Sequence, residues 1–296
     1  MAVDSRTRAA YLVLVSSVFM SLGGAGIKLC SFGPWQLAGF RAVFSALTIL
    51  LLMPEARRNW SWRILWPGAS LAGTFILYVW GMKSTTAVNT IFIQFSAPLW
   101  VLLLSPLFLG ERVRSSDFVS MAFFCVGLAL FFAAREKATA LSPDIGRGNV
   151  LALLSGVCYA LTILGLRRLR GKGAAPGLVC GNALIFLVCA AVMIPAGTGF
   201  PGAFRTGTPR DWAVVAALGI FQVGVSYVLF TRALRVLPAV RATLIGLLEP
   251  VLNPLWVFLL FREERPGPLA LLGAAVIVST VAFQAVYSAG RKRKPL

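Results

Sequence analysis

Apolar and polar positions along this chain alternate in blocks of about twenty residues, a scale longer than the period of any one helix face or strand. Ten apolar stretches, approximately 10–30, 34–53, 64–82, 86–109, 117–134, 149–167, 178–197, 212–231, 237–261 and 268–287, are separated by short polar connections. About twenty residues of helix cross a bilayer, so the pattern predicts an all-α integral membrane protein with ten transmembrane helices. The connections leave no room for an inserted soluble domain. The longest, 135–148, carries Ser142-Pro143-Asp144 and Gly146, which are turn and breaker residues. It is the expected joint between a first unit, residues 1–140, and a second, residues 141–296.

The two units echo each other. Residues 81–113, GMKSTTAVNTIFIQFSAPLWVLLLSPLFLGERV, align without a gap on residues 233–265, ALRVLPAVRATLIGLLEPVLNPLWVFLLFREER. Lys83 meets Arg235, Ala87-Val88 meets Ala239-Val240, Ile93 meets Ile245, Pro98 meets Pro250, and Glu111 meets Glu263. Self-similarity of this kind marks a chain built from repeated units. With five spans in each half, an odd number, the second copy must enter the membrane from the opposite side. The expected architecture is therefore two inverted-topology five-helix repeats, an arrangement found in secondary transporters with the site near the midplane between halves.

Composition supports the membrane reading. The chain is 58% hydrophobic and 13% charged, with a mean hydropathy of +0.82, against about 45–50% and about 25% for soluble domains. The net charge of +18 does not point to nucleic acid, because the basic residues sit between apolar runs and form no single face. Instead they set orientation. The richer clusters, Arg57-Arg58, Arg167-Arg168-Arg170-Lys172 and Arg291-Lys292-Arg293-Lys294, fall on the side of the two termini, which are expected to be cytoplasmic. Cys30, Cys125, Cys158, Cys180 and Cys189 mostly lie inside apolar runs, with no CxxC and no histidine. A zinc site or disulfide framework is not expected. No cofactor is expected either, and no ATP-binding loop is present.

With these features in place, the chain resembles the drug/metabolite transporter superfamily in its EamA-like branch. The resemblance rests on GGAGIK ending at Lys28, on WQLAGFR from Trp35 to Arg41, on residues 81–113 with Pro98 and Gly110-Glu111, and on Leu248-Glu249-Pro250 through Glu263. Two positions depart from it: Phe19-Met20 stand where the family often has tryptophan, and Arg262 replaces the glycine of the second Gly-Glu. The resemblance implies ten helices in two inverted halves and a central cavity lined by helices 1, 3, 4, 6, 8 and 9. It also implies a carrier of the cytoplasmic (inner) membrane, most often an exporter of amino acids or related metabolites.

Several residues could carry transport. Glu249 is the one acidic residue placed deep within a predicted span, where an ionisable group costs about 2.5–3.5 kcal/mol and is a functional-site hypothesis by default. It could bind a substrate amine or carry a coupling proton; the structural alternative is a pair with Arg41 or Arg241. Asn253 lies one turn on, on the same helix face. Arg41 and Arg241 could wall a site for a substrate carboxylate, or snorkel to headgroups. Tyr78, Trp80, Asn89, Gln94, Ser96, Tyr159, Gln222 and Tyr227 are polar or amphipathic groups within spans. Each is a candidate for substrate contact, with helix–helix hydrogen bonding as the alternative. Pro98 and Pro250 would each free a carbonyl, as gating or cavity-shaping kinks. Glu111 and Glu263 end their helices against the macrodipole and should pair with a neighbouring arginine. The Gly177–Gly181 spacing suggests close helix packing.

The expected function is secondary active transport by alternating access around a central cavity, as an exporter of amino acids or related small metabolites. Multidrug or organic-cation efflux and metabolite uptake are the alternatives within transport. An intramembrane enzyme is the remote alternative, since no HExxH or G-x-S-x-G constellation is present. The expected partners are a small-molecule substrate, membrane lipid and a coupling proton, with no nucleic acid.

Overall fold

The structure, a computed structural model, describes residues 5–109, 115–134, 137–169, 173–196, 200–234, 236, 246, 248–261 and 267–291. Among them the fold is helical. The helices are α1 (Ser5–Ser21), α2 (Gly23–Leu29), α3 (Pro34–Leu52), α4 (Leu65–Ser84), α5 (Ala87–Gln94), α6 (Ala97–Leu109) and α7 (Ser115–Ala133). They continue with α8 (Ile145–Arg168), α9 (Ala174–Met193), α10 (Phe200–Thr206), α11 (Pro209–Ala217), α12 (Ser226–Leu234), α13 (Leu248–Leu260) and α14 (Pro268–Arg291). A π-helical segment, Leu218–Val225, joins α11 to α12.

Among the described residues six helical stretches are long and apolar enough to cross a membrane: Thr7–Leu29, Pro34–Leu52, Trp62–Ser84, Ile145–Leu166, Ala174–Met193 and Pro209–Ala233. Each coincides with a stretch read from the sequence. The fourth stretch is interrupted instead of continuous. The backbone leaves the α-helix at Phe95–Ser96, and Pro98 falls in the first turn of α6, where a missing N–H costs no intrahelical bond. Pro250 lies in the first turn of α13 in the same way, whereas Pro106 and Pro254 stand inside helices that continue through them. Of the ninth stretch, residues 237–245 and 247 lie outside the described residues, and with them Arg241.

Local chemistry sets several helix starts. Pro34 opens α3, with the Gln36 side chain accepting from the Gly33 N–H at 3.3 Å. Thr86 caps α5 by accepting from the Asn89 N–H at 3.2 Å. Thr208 and Asp211 cap α11 reciprocally, with Pro209 next in line. The core is made by helices packed close through small residues. α4 lies against α8 and α9, α3 against α9 and the π segment, α1 against α12 and α13, and α7 against α14. α5 and α6 also pack on α8, and α13 meets α5 and α2.

Gly181 shows how tight the α4–α9 crossing is: a Cβ there would stand 2.9 Å from that of Leu71 and 3.0 Å from the Gly68 carbonyl. Gly177, its partner in the spacing noted above, has looser surroundings, so the close contact belongs to Gly181 alone. Cys180, Cys158 and Cys189 fill the same niche as small residues, facing Gly68, Gly73 and Gly39. All five cysteines are free thiols. The outer faces carry exposed Leu47, Leu51, Leu107, Phe123, Leu187 and Leu259, more apolar surface than a water-facing protein presents and the surface expected of a helix bundle in lipid.

Candidate functional site

Arg41, on α3, is 2% exposed, and its position requires a compensating environment. One guanidinium nitrogen donates to Gln222 Oε1 at 3.3 Å, and the group lies 4.9 Å above the Phe75 ring on α4. Gln222 belongs to the π segment; its amide donates in turn to the Met20 carbonyl at 3.5 Å. A π turn widens the helix locally and often marks functional positions. Here it coincides with the point where Gln222 meets both Arg41 and the first transmembrane stretch.

Tyr78 follows Phe75 on the same face of α4, and its hydroxyl accepts from Asn253 Nδ2 at 3.3 Å. Asn253 is fully buried on α13, and its Oδ1 has no hydrogen-bond partner among the described residues. Glu249 stands one turn earlier and is half-buried. It lies in the neighbourhood of the Tyr78, Tyr159 and Tyr227 side chains, and Arg41 in that of Tyr78 and Tyr227. Tyr227 also meets Phe75 edge to face, at 6.0 Å. Arg41, Tyr78, Tyr159, Gln222, Tyr227, Glu249 and Asn253 are thus brought into one group.

The structural alternative for Glu249 is a pair with Arg41 or Arg241; the structure places Arg41 with other partners, and Arg241 is outside the described residues. Among the described residues no carboxylate lies within ion-pair distance of Arg41. The reason is local: α3 packs on the π segment, and the guanidinium is committed to Gln222 and the Phe75 face. Arg241, Glu111 and Glu263 lie outside the described residues.

Other candidate residues make contacts between helices. Gln94 donates to Ser155 Oγ at 2.8 Å, and Ser155 donates to the Thr74 carbonyl at 2.8 Å, tying the α5 end to α8 and α4. Ser96 accepts from Trp100 Nε1 at 3.1 Å, and a Cβ on Gly156 would meet Ser96 Oγ at 2.8 Å, so the α5–α6 break rests on a glycine of α8. Asn89 donates to Asn149 Oδ1 at 3.1 Å, which also accepts from Thr85 at 3.0 Å. Trp80 packs edge to face on Trp35 at 5.6 Å and beneath the Arg147 guanidinium at 5.2 Å, and its buried indole N–H has no partner among the described residues.

A second polar cluster, which sequence reasoning did not assemble, lies where α2 and α4 end and α8 and α11 begin. Lys28 is 7% exposed and donates to the Thr85 carbonyl at 2.8 Å, the Leu141 carbonyl at 2.7 Å and Ser142 Oγ at 3.0 Å. Lys83 donates to the Cys30 carbonyl. Asp211, 3% exposed, accepts from the Ser31 N–H at 2.6 Å, the Ser31 hydroxyl at 2.8 Å and the Thr208 hydroxyl at 2.6 Å. The sequence signal for Asp211 was the T-x-x-D capping pattern at Thr208. Lys28 was visible only as the end of GGAGIK. Among the described residues no group of three or more histidine, cysteine, aspartate or glutamate side chains forms a metal site.

Comparison with known proteins places this bundle. A model of the EamA-like transporter family matches twice, over residues 7–133 and 146–285. The threonine/homoserine exporter RhtA of Escherichia coli is 24% identical over 282 residues, covering 90% of this chain and 88% of RhtA. The pseudopaline exporter CntI of Pseudomonas aeruginosa is 23% identical over 284 residues, covering 94% and 96%. The uncharacterized transporter YwfM of Bacillus subtilis is 24% identical over 290 residues, covering 95% and 94%. A solved crystal structure, 18% identical, superposes with a TM-score of 0.61 over 98% of this chain and all of its own, which establishes the likeness of fold. The chain is a multi-pass membrane transporter, not an enzyme, and it belongs to the EamA-like transporter family.

Proposed function

We propose that this protein is a secondary active exporter of amino acids or related small zwitterions, working by alternating access around the Arg41–Glu249 group. The observation that carries the reading is that two opposite charges lie buried or half-buried within the bundle without pairing to each other. Tyr78 and Tyr227 lie in the neighbourhood of both. Among the described residues neither has an ionic partner; charges left so are costly in a membrane, and a ligand carrying a carboxylate and an ammonium supplies a partner to each. Arg41 takes the carboxylate and Glu249 the ammonium, or Glu249 carries the coupling proton. The names of RhtA and CntI as exporters support the direction.

The architecture in this reading is ten spans in two inverted halves, residues 1–140 and 141–296, in the inner membrane with both termini cytoplasmic. The double match of the family model supports it. Helix packing supports it too. Numbering the spans in chain order, with α1–α2, α5–α6 and α11–α12 each one span, the third and sixth pack together, as do the eighth and first. The third and seventh correspond to the eighth and second, and the fourth and sixth to the ninth and first. A shift of five spans exchanges each of these pairs, as a two-fold repeat requires.

The test is counterflow of labelled threonine or homoserine in proteoliposomes, with recovered solute checked for chemical change. Accumulation of unchanged amino acid, reduced in Glu249→Gln with altered pH dependence, is expected. Wild-type rate and unchanged pH dependence in that variant refute the role of Glu249. The cation-efflux alternative is favoured by one feature, the three tyrosines around Glu249, since aromatic faces and a carboxylate attract organic cations. Counterflow of an organic cation but of no amino acid decides for it.

A further inference from the structure

We infer that Lys28, Lys83 and Asp211 form a transport gate, and that the bundle is closed at their end in this structure. On the proposed orientation this is the outer face. The inference goes beyond the proposed function, because it assigns the conformational state and the residues that hold it, whatever the substrate.

The cluster crosses the joint between the two halves in two places. Lys28, at the end of α2, reaches Leu141 and Ser142 ahead of α8, and Ser31 after α2 is held by Asp211 on α11. Within the first half, Lys28 and Lys83 tie the ends of α2 and α4 to each other's loops. The four helices gathered here are continuous with elements that carry the candidate site. α4 bears Tyr78, α8 bears Tyr159, α11 runs into the π segment of Gln222, and α2 follows the chain at Met20. Separating their ends would therefore open a route to that group.

The contacts are of a kind that can be exchanged with water. The ammonium of Lys28 donates to the Thr85 and Leu141 carbonyls and to the Ser142 hydroxyl in this state. When the ends part, water can replace each acceptor, whereas interlocked apolar side chains would have to be exposed. Closure is also close at the backbone. Gly148 of α8 lies against Thr85 after α4, where a Cβ would stand 2.4 Å from that of Thr85 and 2.7 Å from its amide nitrogen. Only glycine allows the start of α8 to seat so tightly on the end of α4.

The test is solvent accessibility, which needs no substrate. With the five native cysteines replaced by alanine, Gln222→Cys reports access to the site and Pro143→Cys, in the exposed turn, marks the Lys28 face. A charged, membrane-impermeant methanethiosulfonate is added to one face of oriented vesicles at a time. Slow labelling of Gln222→Cys from the Lys28 face is expected. Lys28→Met or Asp211→Asn should raise that rate about tenfold, the shift in the closed–open equilibrium brought by losing a charge-assisted hydrogen bond. Lys28→Arg should retain slow labelling. Fast labelling from this face in the unaltered background, or a rate that neither Lys28→Met nor Asp211→Asn raises, overturns the gate. Because no transport is measured, failure here is distinct from failure of the exporter reading.

Discussion

Replacing Arg41 by methionine separates a binding role from a structural one. The guanidinium gains a charge-assisted hydrogen bond to Gln222, about 1.5–3 kcal/mol, and a desolvated cation–π contact with Phe75, about 2 kcal/mol. Against this stands the cost of holding an arginine within a transmembrane helix, about 2.5–3.5 kcal/mol. The substitution therefore costs between about 0 and 2.5 kcal/mol of stability, or at most about 10 °C in melting temperature at about 2–4 °C per kcal/mol. A buried arginine holding an ion pair would cost about 3–5 kcal/mol on loss. Binding should change far more. Removing a charge-assisted contact to a carboxylate weakens affinity about 10- to 150-fold. At a ligand concentration of about 100 Kd, wild type gains about 2.7 kcal/mol; a 100-fold weaker variant gains about 0.4 kcal/mol. The assay is thermal unfolding of purified protein with and without amino acid. A ligand-induced rise in Tm that survives Arg41→Met at its wild-type size refutes the carboxylate role. Collapse of the unliganded Tm by well over about 10 °C refutes the stability balance.

Three further outcomes are expected. Glu249→Gln should abolish ligand-induced thermal stabilisation by amino acids while leaving the unliganded fold intact, since among the described residues no ion pair holds Glu249; full stabilisation in the variant excludes Glu249 as the ammonium site. Gly181→Leu should destabilise the α4–α9 crossing by about 1–3 kcal/mol through overpacking against Leu71 and the Gly68 carbonyl, whereas Gly177→Ala should be close to neutral; equal thermal stability of Gly181→Leu and wild type would show that the crossing is loose. Burial pushes the Cys30 thiol up to about 11, so it stays protonated at pH 7 and begins to ionise only as the pH approaches that value. Maleimide should therefore leave Cys30 unmodified in folded protein at pH 7 and label it on denaturation, and rapid native labelling at that pH would contradict its burial.

The fold was legible because membrane insertion writes its requirement as block length. Six predicted spans reappear as helices of membrane length, since each is an uninterrupted apolar run. The breaks were less legible. The α5–α6 interruption depends on Gly156 of α8 facing Ser96, a contact between residues too far apart in the chain for any local pattern to contain. The π segment likewise has the same apolar composition as an α-helix, and only its packing on α3 distinguishes it. In the candidate site, charge in an apolar run singled out Arg41 and Glu249, and polar side chains in spans singled out Tyr78, Gln222 and Asn253. The same signal singled out Asn89 and Gln94, whose amides bond Asn149 and Ser155 of α8; in sequence such an amide looks like one that faces a ligand. Phe75 was missed because nothing marks one phenylalanine among 21 as the face beneath a guanidinium.

The two polar clusters differ in a way that bears on their roles. Lys28 and Asp211 are buried with their hydrogen-bonding capacity met by backbone and hydroxyl groups of the facing segments, which is what a contact holding two segments together requires. Among the described residues Arg41 has one hydrogen bond for five donors, Asn253 keeps an unpartnered oxygen, and Glu249 has no ion pair. A protein folding only for stability would place its satisfied charges in the interior and its unsatisfied ones toward water. Here the group nearer the membrane interior is the less satisfied, so completing it must be worth more than leaving it apolar. A zwitterion bound between Arg41 and Glu249 would supply that completion while the Lys28 end is closed, and hydration of the Lys28 end would release it. The same substitutions therefore divide cleanly: Arg41→Met and Glu249→Gln should change affinity with the closed state intact, and Lys28→Met should change which face reaches the site with the binding groups intact.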